Sequence, residues 1–201
     1  MKYTNEMDRV SYSLGLSIAN NLLSTGIKNI NTAAFNDALE TVFHGRMPEI
    51  MPDEAENILQ DYFEKLQDEK GHAAKEAGEK FLAENKQKEG VVCLPSGLQY
   101  KILKAGNGPK PGADDTVKCH YEGRLIDGTV FDSSIRRGEP AEFPVSGVIA
   151  GWVEALQLMH EGDQWRLYIP SDLAYGPNGA GGLIGPDTTL IFDVQLLRVI
   201  K

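Results

Sequence analysis

The distribution of proline constrains the fold of this chain more than any other feature. Eight of its ten prolines come after residue 90, and before that point proline occurs only at Pro48 and Pro52. Proline lacks a backbone donor and disrupts helix interiors, so a long proline-poor stretch can be helical, whereas proline-rich sequence favours strands and turns. The sequence therefore predicts a helical front part and a β-rich remainder that meet near residue 90.

Three helices are predicted in the front part. Apolar residues recur every four positions from Val10 to Leu22, and Gly26 follows as a stop signal, so a first helix is expected over 7–25. A second helix is expected to start at Thr32, acting as its N-cap, and to end at Gly45. From residue 53 to about 88 the chain contains no proline and is rich in Ala, Glu, Lys and Leu, which predicts one long helix.

The long helix divides into two halves of different composition. Ile58, Tyr62 and Leu66 form an apolar stripe that continues less clearly to Phe81, and residues 68–88 are highly charged. Two interpretations stay open for that second half, a solvated charged helix or a rigid spacer between two domains. Gly71 and Gly78 are expected to be weak points at which this helix can bend.

The helical part offers too few apolar residues for a core of its own. Two short amphipathic helices and half of a third make a thin core for a region of this length. We therefore expect a homodimer through the N-terminal helices, with a self-contained three-helix bundle as the alternative. The predicted organisation is a dimerisation domain over 1–52, a connecting helix over 53–89 and a catalytic or binding domain over 90–201.

Short β-rich runs and one short helix are predicted after residue 90. The expected strands cover 98–104, 116–125, 129–134, 164–169 and 189–200, and the pair Asp127–Gly128 is a hairpin signal between the second and third. Residues 151–159 carry apolar side chains at helical spacing and are expected to pack on the sheet. The fold class predicted is α+β: an N-terminal all-helical domain, a long helix and a C-terminal antiparallel sheet curled around a short helix.

Aromatic residues are concentrated in the second part without the partners of a covalent active site. Half of the sixteen aromatic residues lie between Tyr121 and Phe192, around the single acid Asp132. Cys119–His120 has no second close ligand pair for a metal, and Ser133–Ser134 lacks a partner base. A net charge of −9 and the absence of a basic stripe argue against nucleic acid as a partner. The pattern indicates a site that buries an apolar group, with no metal and no cofactor.

Five stretches of the second part together carry a family pattern: HYEGRLIDGTVFDSS, EPAEFPV, GVIAGWVEALQLM, IPSDLAYG and TLIFDVQLL. In this order they resemble the FKBP-type peptidyl-prolyl cis-trans isomerases. The helical front part followed by LPSGLQYKILKAGNG is similar to the bacterial macrophage infectivity potentiator (Mip) subgroup, whose members are dimers. The resemblance implies an enzyme that accelerates rotation about X-Pro bonds in proline-containing polypeptides and binds macrolides of the FK506 or rapamycin type.

The resemblance also implies the site residues, position by position. Those with catalytic roles are expected to be Tyr121, Asp132, Ile149 and Tyr175. The residues expected to line the substrate pocket are Phe131, Phe143, Val148, Trp152, Ile184 and Phe192. Arg137 matches a position that pairs with the aspartate in some members. Ala141 and Ala180 stand where relatives carry larger groups, which predicts a wider pocket mouth.

Two function classes remain open. The first is the prolyl isomerase; the second is a dimeric chaperone or peptide-binding module in which catalysis is secondary. The first residues are too polar for a secretory signal and no stretch is long and apolar enough to span a membrane, so we expect a cytoplasmic location. A leader removed upstream of residue 1 would instead place the protein in the periplasm or at the cell surface.

Overall fold

The computed structural model describes residues 2–201 and divides the chain into two compact units, which meet in sequence between Leu66 and Gln67. The helices are α1 (Glu6–Thr25), α2 (Thr32–Phe43), α3 (Pro52–Asn85), α4 (Ser134–Arg137) and α5 (Ala150–Leu158). The strands are β1 (Val91–Cys93), β2 (Gln99–Lys104), β3 (Thr116–Leu125), β4 (Val130–Ser133), β5 (Ala141–Pro144), β6 (Gln164–Ile169) and β7 (Leu190–Ile200). The predicted α+β class is confirmed.

The helices of the first unit begin and end where local sequence signals place them. The Asn5 side chain accepts from two backbone N–H groups at the start of α1, and Gly26 closes that helix in the left-handed conformation. In α2 the N-cap is Asn31, one residue before the predicted Thr32, because the Asn31 side-chain oxygen Oδ1 accepts from the backbone N–H groups of Ala33 and Ala34.

No residue of the first unit is buried among positions 2–66. Both α1 and α2 carry their apolar stripes, yet these stripes remain in contact with solvent. Phe43 is 83% exposed and Val42 is 76% exposed. A single copy of this unit therefore has no hydrophobic core, as the thin apolar content of the sequence led us to expect.

The second unit is built on one seven-stranded antiparallel sheet with the order β1-β2-β6-β7-β3-β4. The long strand β3 pairs with β7 along its whole length, while its other edge is shared by β5 and β4. Helix α5 covers the inner face of the sheet with Trp152, Ala155 and Leu156. Strands β1 and β5 were not among the predicted strands, because each has only three or four residues.

The second half of α3 packs on the face of the sheet opposite to the face that α5 covers. Gln99, Tyr168 and Ile191 are aligned across β2, β6 and β7, and the Phe81 ring lies 6.0 Å from the Tyr168 ring. The predicted long helix is confirmed, but its buried face carries Gly71, Gly78 and Asn85, while Ala73 and Ala77 are exposed. The expectation of a fully solvated second half is therefore wrong for this face.

Candidate active site

The candidate site is a cavity of about 450 Å³ on the inner side of the sheet. Strands β3, β4, β5 and β7, helix α5 and the segment after β6 each contribute residues to it. The lining residues are Tyr121, Phe131, Asp132, Phe143, Gly147, Val148, Ile149, Trp152, Tyr175 and Phe192. The structure therefore brings together nine of the residues predicted from the sequence and adds Gly147.

Trp152 forms the centre of the apolar lining. Its ring is edge-on to three others, with centroid distances of 5.4 Å to Tyr121, 5.9 Å to Phe143 and 5.3 Å to Phe192. Edge-to-face contacts of this kind are favourable beyond simple burial and hold each ring in one orientation. The cavity floor is therefore a rigid aromatic surface.

Gly123 allows two further rings to meet beside this floor. A Cβ atom at that position would lie 2.6 Å from the Phe131 ring and 2.7 Å from the Phe192 ring, so only glycine fits. The two phenyl rings pack edge to face with centroids 5.5 Å apart. This role of Gly123 could not be read from the sequence, because it depends on which side chains cross the strand.

Phe131 and Asp132 both face the cavity although they are consecutive in β4. Regular strand alternation would send them to opposite faces. The register between β3 and β4 shifts at Gly123–Arg124. Strand β4 ends at Ser133, one residue after Asp132, and α4 begins at the next residue. The irregular and short strand is the reason that both side chains can line one cavity.

Asp132 is the acceptor of a small polar network at the cavity wall. The Tyr121 hydroxyl donates to its Oδ2 atom over 2.5 Å, and the Arg137 guanidinium donates to its Oδ1 atom. The same guanidinium donates to the Tyr121 hydroxyl oxygen over 2.9 Å. Arg137 thus contacts both members of the pair without lining the cavity itself.

The network shifts the ionisation of its members in opposite directions. Burial raises the pKa of Asp132, but the hydrogen bonds from Tyr121 and Arg137 outweigh it, and the net effect is a lowered pKa. Burial and the hydrogen bond to Asp132 raise the pKa of Tyr121. At neutral pH the pair is therefore a carboxylate and a neutral phenol.

The polar groups at the other side of the cavity lie at the start of α5 and after β6. Ile149 is the N-cap of α5, where helix geometry supplies no carbonyl acceptor for its backbone N–H. Tyr175 follows a short 3₁₀ turn and is 39% exposed. A backbone donor and a hydroxyl thus border an otherwise aromatic cavity.

Ile184 does not line the cavity. Its side chain is 8% exposed and belongs to the hydrophobic core cluster, and its backbone pairs with Ala180 in the loop after Tyr175. The structure thus places Ile184 in the core and not among the residues that line the cavity. Its predicted role in binding stays a prediction.

The thiol of Cys119 and the hydroxyls of Ser133 and Ser134 do not act as nucleophiles in the cavity. Burial raises the pKa of the Cys119 thiol to about 12, so this group stays protonated at physiological pH. The Ser134 hydroxyl accepts from the Tyr121 backbone N–H, and the Ser133 hydroxyl caps α4. Within residues 2–201 the cavity wall therefore presents no activated nucleophile.

Comparisons with known proteins agree with this geometry. Residues 108–197 match the family model of the FKBP-type peptidyl-prolyl cis-trans isomerases, and residues 7–102 match that of the domain amino-terminal to them. The chain is 44% identical to the outer membrane protein MIP of Legionella longbeachae, covering 98% of this chain and 88% of the relative. It is 43% identical to the FKBP-type 22 kDa peptidyl-prolyl cis-trans isomerase of Escherichia coli K12, covering 96% and 95%.

A solved structure extends the likeness to the whole chain. The crystal structure of FkpA from Escherichia coli superposes with a TM-score of 0.78 at 32% sequence identity, and the match covers 98% of each chain. Both the helical front part and the sheet are included in that coverage. The chain belongs to the family of FKBP-type peptidyl-prolyl cis-trans isomerases.

Proposed function

We propose that the aromatic cavity binds the prolyl ring of an X-Pro segment against Trp152 and accelerates rotation about the preceding peptide bond. The supporting observation is a cavity of about 450 Å³ whose floor is Trp152 with three rings nearly perpendicular to it, and whose only carboxylate among residues 2–201 is already paired. Such a site offers burial and orientation in place of covalent chemistry. Proline-containing polypeptides are its substrates.

The apolar lining lowers the rotational barrier by its effect on amide resonance. The barrier of about 18–20 kcal/mol comes from the partial double bond between carbon and nitrogen, and resonance separates charge between nitrogen and oxygen. An apolar environment stabilises that charge separation less than water does. The planar amide is therefore destabilised relative to the twisted one.

Two donors orient the substrate carbonyl as the bond twists. The Ile149 backbone N–H and the Tyr175 hydroxyl are the candidates, because both residues line the cavity. Donors held in place by the fold need little reorganisation during the reaction. Asp132 acts mainly through Tyr121, whose ring it holds against Trp152.

A protease-coupled proline-peptide assay tests this proposal. Pure protein is expected to accelerate isomerisation, and a macrolide of the FK506 or rapamycin type is expected to inhibit by occupying the cavity. Asp132→Leu and Tyr175→Phe should each lower kcat/KM by about tenfold or more. Tyr100→Phe is the control, since it removes a hydroxyl from a ring stacked on Trp165 outside the cavity lining. Absence of any rate enhancement by the wild-type protein would refute the proposal.

The first unit supports a homodimer. Its residues 2–66 contain no buried side chain, and the exposed apolar residues of α1 include Leu14 and Ile18. Association with a second copy would remove that surface from water, at about 25 cal/mol per Å² of apolar area. Sedimentation of the full chain should give twice the chain mass, and residues 67–201 alone should be monomeric. A monomeric full chain would exclude the dimer.

A chaperone activity is the second candidate, favoured by the same exposed apolar surface. In that case suppression of aggregation of an unfolded client should persist in Tyr175→Phe and be lost when residues 1–65 are deleted. The opposite result would assign any folding assistance to the isomerase cavity alone.

Location in the cell is a separate proposal. No helix within residues 2–201 is long and apolar enough to cross a membrane. We keep a cytoplasmic location as the prediction, while the name of the Legionella longbeachae relative, an outer membrane protein, points to export as the alternative. Cell fractionation with an antibody against the chain distinguishes the two.

A further inference from the structure

Helix α3 contacts the segment just before β7 through two glycines. Gly71 and Gly78 are buried, seven residues apart, and so lie on one face of the helix together with Asn85. Within that helix, the neighbouring positions Ala77 and Glu79 are exposed. The glycines were expected to be bending points, but α3 is continuous through both. Their small size serves a close approach instead.

Each glycine meets the segment that leads into β7. A methyl group at Gly71 would lie 3.1 Å from the Asp187 carboxylate and 3.4 Å from the Pro186 ring. A methyl group at Gly78 would lie 2.3 Å from the Thr189 hydroxyl and 3.0 Å from its Cβ. The distances to Asp187 and to Thr189 are shorter than ordinary contacts between such atoms, so neither glycine accepts a side chain unless these neighbours move.

The segment in contact with α3 closes the loop that begins at the candidate site. We call residues Gly176–Asp187 the site loop. Its two ends are joined because the Asp187 backbone N–H donates to the Gly176 carbonyl over 2.8 Å. Gly176 directly follows Tyr175, which lines the cavity. A displacement of Asp187 is therefore transmitted to Tyr175 through one hydrogen bond and one peptide unit.

The helix itself is fixed more firmly than the loop. The Asn85 amide donates to the Gln99 side chain over 3.0 Å, and the Gln99 amide donates to the Leu82 carbonyl over 2.9 Å. Both side chains are buried, so these bonds are shielded from water. The site loop, in contrast, contains five glycines and its tip residue Leu183 is 57% exposed. An added methyl group at Gly71 should move the loop and leave the helix in place.

We infer that Gly71 and Gly78 are positioning residues: Gly71 seats the Asp187 end of the site loop on α3, Gly78 seats Thr189 two residues beyond it, and together they set the place of the Tyr175 hydroxyl. The inference rests on the proposed role of Tyr175 as a donor to the substrate carbonyl. It assigns α3 a part in catalysis although no residue of this helix lines the cavity.

Gly71→Ala in the full chain tests the inference. We expect kcat/KM for a short X-Pro peptide to fall by about threefold to tenfold, because small misplacements of a catalytic donor are costly. Hydrogen exchange of the Asp187 amide, followed by NMR, should become faster as its bond to Gly176 weakens. Gly78→Ala should act in the same direction. Ala77→Ser adds one atom on the exposed side of the same helix and should change neither quantity.

Two double variants separate positioning from loss of structure. In the Tyr175→Phe background Gly71→Ala should change kcat/KM by less than about twofold, because the hydroxyl through which it acts is gone. In the Asp187→Gly background the same substitution should also have little effect, since the closest contact is removed and glycine accepts the φ of 51° found at Asp187.

Three outcomes would contradict the inference. Full activity of both glycine variants, with Tyr175→Phe impaired, refutes it and leaves the proposed function standing. A loss of equal size in the Tyr175→Phe background, or a loss with unchanged exchange at Asp187, assigns the effect to a route other than Tyr175. Full activity of Tyr175→Phe refutes the role of Tyr175 and this inference with it.

Discussion

At the residue scale, the orientation of the Asp132 carboxylate is fixed by its two hydrogen-bond donors and not by its position in a strand. Tyr121 and Arg137 both donate to it, and Arg137 also donates to Tyr121, so the three groups form a closed triangle. This arrangement keeps the carboxylate occupied at the edge of an apolar cavity. These contacts support the proposal that Asp132 orients Tyr121, for which no proton transfer is needed.

The pKa shifts predict the pH dependence of activity. The pKa of Asp132 is lowered from its ordinary value of about 3.9, and that of Tyr121 is raised above about 10. Ionised Asp132 thus stabilises the folded site at pH values above its ordinary pKa, and this stabilisation is lost as pH falls through its lowered pKa. The neutral Tyr121 phenol stabilises the folded site at pH values below its ordinary pKa, and this stabilisation is lost as pH rises through its raised pKa. We expect kcat/KM to be constant from about pH 5 to about pH 9.

Arg137→Gln should shift the acid limb of this profile. Removing the cation raises the pKa of Asp132, so the fall in kcat/KM on acidification should begin at a higher pH. Arg136→Gln is the matched control, because that neighbouring guanidinium pairs with Glu122 and not with Asp132. Identical profiles for the two variants would show that the ion pair with Asp132 has no effect on turnover.

At the element scale, close contacts of glycines decide how helices meet the sheet. Helix α5 carries Gly151, where a Cβ would lie 2.6 Å from Cγ2 of Ile169 in β6. Helix α3 carries Gly71 and Gly78 on its buried face. The two faces of the sheet are thus covered by helices that approach closely through glycine.

Gly151→Ala should separate α5 from β6. Overpacking of a close contact costs about 1–3 kcal/mol, and the displaced Trp152 should weaken substrate binding. We expect a lower free energy of unfolding in urea and a higher KM. Ala150→Ser, at the exposed neighbouring position, should leave both unchanged. An unaltered KM in a destabilised Gly151→Ala variant would show that the cavity tolerates movement of α5.

Removal of the second half of α3 should destabilise the sheet domain. A chain of residues 90–201 would expose Gln99, Tyr168 and Thr189, which that half covers, whereas residues 67–201 keep the whole compact unit. We expect the longer fragment to unfold at a higher urea concentration. Its free energy of unfolding should also depend more steeply on urea concentration, because more surface is exposed when it unfolds. Equal midpoints would mean that the helix contributes no stability.

At the scale of the whole molecule, the two units differ in how their apolar groups are covered. The second unit has a continuous core that includes Leu156, Leu167 and Val194, all fully buried. The first has no buried residue within positions 2–66. Stability of the second is therefore a property of one chain, while that of the first should depend on association.

Thermal unfolding should reflect this difference. We expect two transitions, of which the first shifts to higher temperature as protein concentration is raised, because association stabilises the folded form by mass action. The second should not shift, and a fragment of residues 67–201 should show it alone. A first transition independent of concentration over a hundredfold range would contradict a dimer in rapid equilibrium with its unfolded chains.

The sequence by itself determined the helical and β-rich parts, the long helix and nine of the cavity residues. These follow from local signals such as proline placement and helix periodicity, and from the family resemblance of contiguous stretches. Only the three-dimensional contacts show the close approaches at Gly71, Gly78 and Gly123, and show that Ile184 is not among the residues that line the cavity. A glycine in a sequence reads as flexibility, but its function here depends on which side chain from a distant element occupies the space that its missing Cβ leaves.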